Sequence, residues 1–114
     1  MNQFVVVVRN RVKPGFEKEY VDLVTPVLDA MRHEKTFINT MLHQDPMDPT
    51  QFMLYETWLD KEDFLTIQMK REYRQTYEER LPAILQTPRE MNYWTPIRGD
   101  YVFATAGRAV YYSR

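Results

Sequence analysis

The chain has no cysteine, three glycines and two histidines in 114 residues. Without thiols there is no disulfide framework, no thiolate nucleophile and no Cys-ligated zinc. Gly15, Gly99 and Gly107 lie far apart, so no Gly-rich loop is available to cradle a phosphate. NAD, FAD and nucleoside triphosphates therefore have no motif here. His33 and His43 are isolated, without a metal-ligand spacing such as HExxH, and no metal is expected. The longest apolar run, Phe4–Val8, is far short of the roughly 20 residues that span a bilayer. A basic start leading into an apolar stretch is also missing, so the expectation is a cytoplasmic protein with no membrane partner. Nor is there an excess of one charge. Fifteen Lys and Arg against sixteen Asp and Glu argue against nucleic acid, whose phosphates need a cationic surplus. The run KREYRQTYEER mixes both signs and reads as a solvated helix face.

What the chain does have is apolar and aromatic content, 44% and 14%, enough to exclude disorder. Its length suits one domain, 1–114, with a core over about 3–106 and a C-terminal tail at 107–114.

Strand-like and helix-like segments alternate. Gln3–Val12 is β-branched and aromatic and reads as a strand that Lys13-Pro14-Gly15 breaks. From Phe16 the apolar residues Tyr20, Leu23, Val27 and Met31 recur at helical spacing, and Pro26 inside the pattern predicts a kink. Thr36–Gln44 and Gln51–Leu59 read as two strands joined by the turn dipeptides Asp45-Pro46 and Asp48-Pro49. Asp60 is a candidate N-cap for a helix through about Leu81, with Phe64, Ile67, Tyr73, Tyr77 and Leu81 inward. After a loop holding Pro88, Trp94 and Pro96, a fourth strand is expected at Asp100–Ala106, and Arg108–Arg114 is a candidate extra strand.

This β-α-β-β-α-β order predicts an α+β, ferredoxin-like fold: a four-stranded antiparallel sheet with both helices on one face. Alternation puts Phe4, Val6, Val8, Asn10 and Val12 on one face of the first strand, and Val5 and Val7 on the other. On the third, Phe52, Leu54 and Trp58 oppose Met53, Tyr55 and Leu59. Both faces are apolar at their centres. Two helices leave one of them wet, so a homodimer through the sheets is expected.

The stretches RNRVKPGFEKEYVDL and HQDPMDPTQFMLYETWLDKEDF resemble the antibiotic biosynthesis monooxygenase domain, over roughly Phe4 to Leu81. The strand ending LYETW before an acidic helix start is the most specific part. The resemblance implies a dimeric α+β barrel with a pocket between sheet and helices. It also implies oxygenation by O2 of an electron-rich aromatic such as a quinol, anthrone or polyketide-like phenol, without metal or flavin. Such chemistry needs few titratable groups. Triplet oxygen can take an electron from a bound phenolate or carbanion, and the protein binds that anion and keeps water away.

The candidate catalytic residues are Asn10 and Trp58. Asn10 interrupts the inward row of the first strand, where its amide meets a ligand oxygen or, alternatively, backbone or water. Trp58 offers an indole floor and one N–H donor, or simply core volume. Glu56, on the same predicted face, becomes a base if burial raises its pKa, or is a solvated residue at the strand margin. Phe64, Ile67, Tyr73, Tyr77 and His43 are the candidate substrate-binding residues. His43 shares strand parity with Phe37, Asn39 and Met41, as a general base or a surface residue.

Heme-degrading relatives match Asn10, but their helix aromatic and iron-binding His correspond to Ile67 and Tyr77 here. Quinol-oxidising relatives carry His where Ile67 and Glu72 lie, and one polyketide-oxidising pattern has polar residues in place of Leu54 and Phe64. The expected cofactor is therefore none. Heme degradation is the alternative activity, and a non-catalytic ligand-binding module is the alternative outside enzymes.

Overall fold

A computed structural model describes residues 3–102. Four strands and three helices follow the order β1 (Phe4–Arg11), α1 (Glu17–Met31), β2 (Phe37–Gln44), β3 (Gln51–Trp58), α2 (Lys61–Thr66), α3 (Gln75–Ile84) and β4 (Glu90–Trp94). The sheet order is β2-β3-β1-β4, and every pairing is antiparallel. This is the ferredoxin-like plan that the segment order predicts.

Local chemistry sets the boundaries. Gly15 takes φ +92°, a region closed to most side chains, and turns the chain from β1 into α1. The expected β2–β3 hairpin is tied by its own aspartates. Asp45 Oδ1 accepts from the Met47 amide at 2.8 Å, and Asp48 Oδ1 accepts from the Thr50 amide and hydroxyl at 3.1 and 2.6 Å. Asp60 caps α2 by accepting from the Glu62 amide at 3.0 Å. Helix α1 runs through Pro26 without interruption, and the neighbouring Thr25 hydroxyl donates to the Val21 carbonyl at 2.6 Å.

The core lies between the inner sheet face and the helices. Phe4, Val6, Val8 and Val12 of the first strand segment meet Phe52, Leu54 and Trp58 of β3, with Tyr20, Val24, Val27 and Met31 of α1 above them. Tyr77, Leu81 and Ile84 of α3 close the layer.

Three expectations need correction. The fourth strand is Glu90–Trp94, within the segment read as a loop, whereas 100–102 carry no strand and the rest of Asp100–Ala106 lies outside the described residues. The candidate strand Arg108–Arg114 is outside them as well. β4 is short and mostly exposed, so it lacks an apolar alternation to announce it; its pairing with β1 comes from backbone hydrogen bonds at a sheet edge.

The second helix is not continuous. Two 3₁₀ turns, Gln68–Lys70 and Glu72–Arg74, separate α2 from α3, with Arg71 extended between them. Helical periodicity therefore slips at Ile67, which is 45% exposed, while Gln68 turns inward. The Gln68 amide is held there by the Asp63 carboxylate at 3.1 Å and the Thr36 hydroxyl at 3.4 Å.

A register shift between Phe37 and Asn39 breaks the parity of β2. Phe37 faces the core, packed edge-on to Trp58 with ring centroids 5.3 Å apart. Asn39, Met41 and His43 pair with Thr57, Tyr55 and Met53 on the opposite face. His43 thus does not share a face with Phe37.

Candidate functional site

The inward row of β1 ends in a polar cluster. Asn10, 2% exposed, pairs across the sheet with Phe52. Its Nδ2 donates to the Tyr20 hydroxyl of α1 at 2.9 Å and to the Tyr77 hydroxyl of α3 at 3.2 Å. The two hydroxyls lie 3.5 Å apart, a contact across which only one can donate. Asn10 Oδ1 has no partner, although a buried amide oxygen ordinarily accepts a hydrogen bond. Burial pushes both phenols above their ordinary pKa of 10, Tyr77 well above it, so each keeps its proton at neutral pH. The cluster can therefore donate and accept hydrogen bonds without carrying charge.

Six residues further back along β1, Phe4 pairs with Trp58. At the usual rise this places Asn10 and Trp58 roughly 20 Å apart along the sheet, on one face but at opposite ends. Trp58 is fully buried, its ring 5.3 Å from that of Phe64. Its indole N–H is already engaged, donating to Glu56 Oε1 at 3.0 Å.

Glu56 lies between the two ends, opposite Val6 and 3% exposed. Burial raises its pKa, against the lowering pull of Arg74, the Trp58 hydrogen bond and Arg89. Arg74, delivered by the second 3₁₀ turn, is 5% exposed. A cavity of about 20 Å³ is bordered by Glu56, Arg74, Tyr77 and Arg89, with apolar residues making up the remaining wall.

The structure thus brings Phe64 and Tyr77 to the same buried layer as Asn10 and Trp58 and separates the other three predicted site residues from it. Ile67 points outward. Tyr73 is half-buried and donates to Glu34 Oε2 at 2.9 Å; burial and this carboxylate push its pKa up to about 12. His43 is exposed and borders an open cleft of about 870 Å³ at the Asn10 end of the sheet, together with Arg9, Arg11 and Met53. Asn10 and Phe52 border this cleft too, so it reaches the buried amide, while the rest of its polar lining is half-buried or exposed.

Tyr20 and Arg74 were not singled out by sequence reasoning. Tyr20 carried a signal only as an apolar member of the α1 stripe, and Arg74 sat in a charge-mixed run that looked solvated. Among the described residues no cluster of His, Cys, Asp and Glu is arranged to hold a metal, and no helix is long and apolar enough to cross a membrane.

Relatives share this architecture. A candidate monooxygenase of Pestalotiopsis microspora is 28% identical over 94 residues, covering 82% of this chain and 78% of its own. A solved structure of a candidate antibiotic biosynthesis monooxygenase from Nitrosomonas europaea superposes with a TM-score of 0.79 at 18% identity, covering 84% of this chain and 91% of that one. Rv0793 of Mycobacterium tuberculosis gives 0.78 at 14% identity, with 87% and 99% covered. These two structures speak for the fold alone. The family model for antibiotic biosynthesis monooxygenase matches residues 3–79, well over half of the sequence, and the chain belongs to that family.

Proposed function

We propose that the protein is a cofactor-independent monooxygenase that oxidises an electron-rich aromatic, a quinol, anthrone or polyketide-like phenol, with O2. The observation that carries this reading is the unpartnered Asn10 Oδ1, buried beside two neutral phenols in an otherwise apolar layer. Such a cluster offers both acceptors and donors to a bound aromatic hydroxyl or carbonyl. Asn10, with Tyr20 and Tyr77, holds the polar end of the substrate; Phe64, which borders the same small cavity as Tyr77, forms the apolar wall beyond. Inside that layer water is scarce, so an anion is held by fixed dipoles rather than by solvent, and electron transfer to oxygen proceeds from a desolvated donor.

The reading needs no heme, and the residues fit heme poorly. α2, α3 and the turns between them contain no His, and Ile67, which stands where heme-degrading relatives carry an aromatic, faces solvent. The Tyr77 hydroxyl is bound to Asn10, beside a cavity of about 20 Å³.

Homodimerisation belongs to the same proposal. On the uncovered sheet face Val5 and Val7 are flanked by exposed Met41, Tyr55 and Trp94, an apolar surface suited to a second copy.

The test is oxygen uptake by metal-free protein with a reduced naphthoquinol and with an anthrone, measured above a protein-free blank. Uptake that falls in both Asn10→Ala and Trp58→Phe supports the oxygenase. No uptake above the blank, with saturable binding of the same compounds, replaces it with a non-catalytic binding module.

A further inference from the structure

Two buried charged side chains border the small cavity without pairing with each other. Glu56 and Arg74 are 3% and 5% exposed, yet neither belongs to any ion pair among the described residues. Arg74 Nη2 donates to the thioether of Met31 at 3.5 Å, a weak acceptor, and its Nε has no partner at all. A buried guanidinium ordinarily lies against a carboxylate, because an uncompensated charge in an apolar layer is strongly unfavourable. Here the carboxylate nearest in chemistry is held elsewhere, its Oε1 accepting from Trp58 at 3.0 Å. A proton acceptor and a counter-charge therefore face one space with an anion missing between them.

We infer that this cavity receives the acidic group of the substrate, with Glu56 as the catalytic base and Arg74 as the counter-charge for the anion formed. The inference rests on the oxygenase reading and assigns its first step. The substrate's phenolic O–H bond breaks, the proton forms a new O–H bond on the Glu56 carboxylate, and the electron pair stays on the substrate oxygen facing Arg74. For an anthrone the C–H bond breaks instead, and the pair delocalises onto the ring carbonyl oxygen. The electron then passes from this anion to O2, the co-reactant. Trp58 acts through Glu56 by fixing its carboxylate, and is a positioning residue.

A cavity of about 20 Å³ holds little more than a water, so its walls must yield to an aromatic ring. They are built to do so. Met31, Met69 and Met91 line it, and unbranched thioether side chains repack readily. Met69 and Arg74 also sit on separate 3₁₀ turns rather than on one rigid helix.

The groups around Glu56 isolate its titration. Arg74 and Arg89 face it as charged neighbours, Arg89 held, against burial, above its ordinary pKa by the Glu78 carboxylate, and Tyr20 on α1 and Tyr77 on α3 are both pushed above 10 by burial. Glu56 is then the group at this cavity that changes charge at the lowest pH, its midpoint raised by burial above the ordinary carboxylate range.

The test uses dithranol, an anthrone whose anion absorbs at longer wavelength than the neutral form, mixed with the protein without oxygen. Wild-type protein is expected to bind it as the anion at neutral pH. Glu56→Gln is expected to bind it neutral and to lose about a hundredfold or more of oxygen uptake, the usual range for a general base. Arg74→Met is expected to move the ionisation of bound dithranol to higher pH. If Glu56→Gln gives the wild-type anion band, Glu56 is not the base, and the oxygenase reading stands without it. If wild-type protein consumes oxygen while binding dithranol only in neutral form, this inference alone falls. Wild-type protein that neither binds dithranol nor consumes oxygen removes both. A second measurement needs no variant: wild-type uptake should rise with pH through one ionisation above the ordinary carboxylate range, and a flat profile from pH 5 to 9 overturns the assignment.

Discussion

Trp58 Nε1 and Glu56 Oε1 lie 3.0 Å apart, two residues along one face of β3, so the tryptophan's single donor is directed at a neighbouring carboxyl. The indole was expected to meet the substrate directly. The geometry instead makes the pair a unit in which the ring holds the acid and the acid faces the cavity. Replacing Trp58 by Phe keeps an aromatic wall and removes the hydrogen bond that draws the Glu56 pKa down. The expected outcome is a shift of the acid limb of the uptake profile to higher pH. A stability loss of about 2 kcal/mol should accompany it, from the smaller ring in a fully buried site and the lost bond. Urea unfolding and the pH profile measure the two effects separately.

Asn10 joins two helices to one strand, and its removal leaves two buried phenols without the amide that bonds both. Asn10→Ala should cost about 1–3 kcal/mol for the unsatisfied groups, read from urea midpoints at constant slope. The triple change Asn10→Leu, Tyr20→Phe, Tyr77→Phe removes every polar partner at once and should recover most of that loss. If the cluster serves binding, the triple variant is stable and inactive. Recovered stability with retained uptake would make the cluster a packing feature only.

The inner face was readable because it obeys one rule. Phe4, Val6 and Val8, and Phe52, Leu54 and Trp58, alternate strictly, and antiparallel pairing requires no more than that to place them beneath the helices. Asn10 and Glu56 could be located by the same parity. What could not be read were places where a side chain overrides periodicity. Gln68 anchors to Asp63 and Thr36, thirty-two residues apart from Thr36 in sequence, and the helix unwinds around it. No local signal announces a partner so distant. Arg74 was hidden in a charged run for the same reason, since its inward turn is set by the extended backbone at Arg71. At β4, the sequence after Asp100 is richer in β-branched and aromatic residues than Glu90–Trp94, yet the edge position beside β1 went to the less apolar segment.

Ile67 provides a direct check on that slip. At 45% exposure it makes little of the core, so Ile67→Glu should change stability by no more than about 0.5 kcal/mol and leave oxygen uptake at the wild-type rate. Phe64→Ala, three residues earlier and 1% exposed, should cost about 3–5 kcal/mol. A continuous helix with Ile67 inward would make both changes severe. Thermal unfolding of the two variants side by side decides between the arrangements.

The raised pKa of Glu56 also has a consequence for stability. The native carboxyl holds its proton to higher pH than the ordinary 4.5 of the unfolded chain. Between those two values the native state binds more protons than the unfolded state, so this group's contribution falls as pH rises. It is fully present below about pH 4.5 and is lost as pH climbs through the native value. Glu56→Gln removes the ionisation, and its unfolding free energy relative to wild type should improve as pH rises from about 4.5 through the native midpoint, then level off. A constant difference across that range would mean that Glu56 titrates normally in the folded protein.

The uncovered sheet face carries the last prediction. Met41 and Tyr55 are cross-strand partners there, both more than 40% exposed, next to Val7 on β1. Exposed apolar neighbours on a sheet bury surface at little entropic cost, because the strands are already ordered. Wild-type protein should therefore show a light-scattering mass of twice 13.8 kDa at micromolar concentration. Met41→Glu with Tyr55→Glu places two like charges side by side on that surface. Association would then have to desolvate both together with their counterparts on the second copy, so the double variant should run as a monomer with an unchanged fold by circular dichroism. Its oxygen uptake is informative in turn. The buried layer that holds Asn10 and Glu56 lies on the opposite face of the sheet, so a folded monomer should retain activity unless a second copy is needed to keep water from that layer.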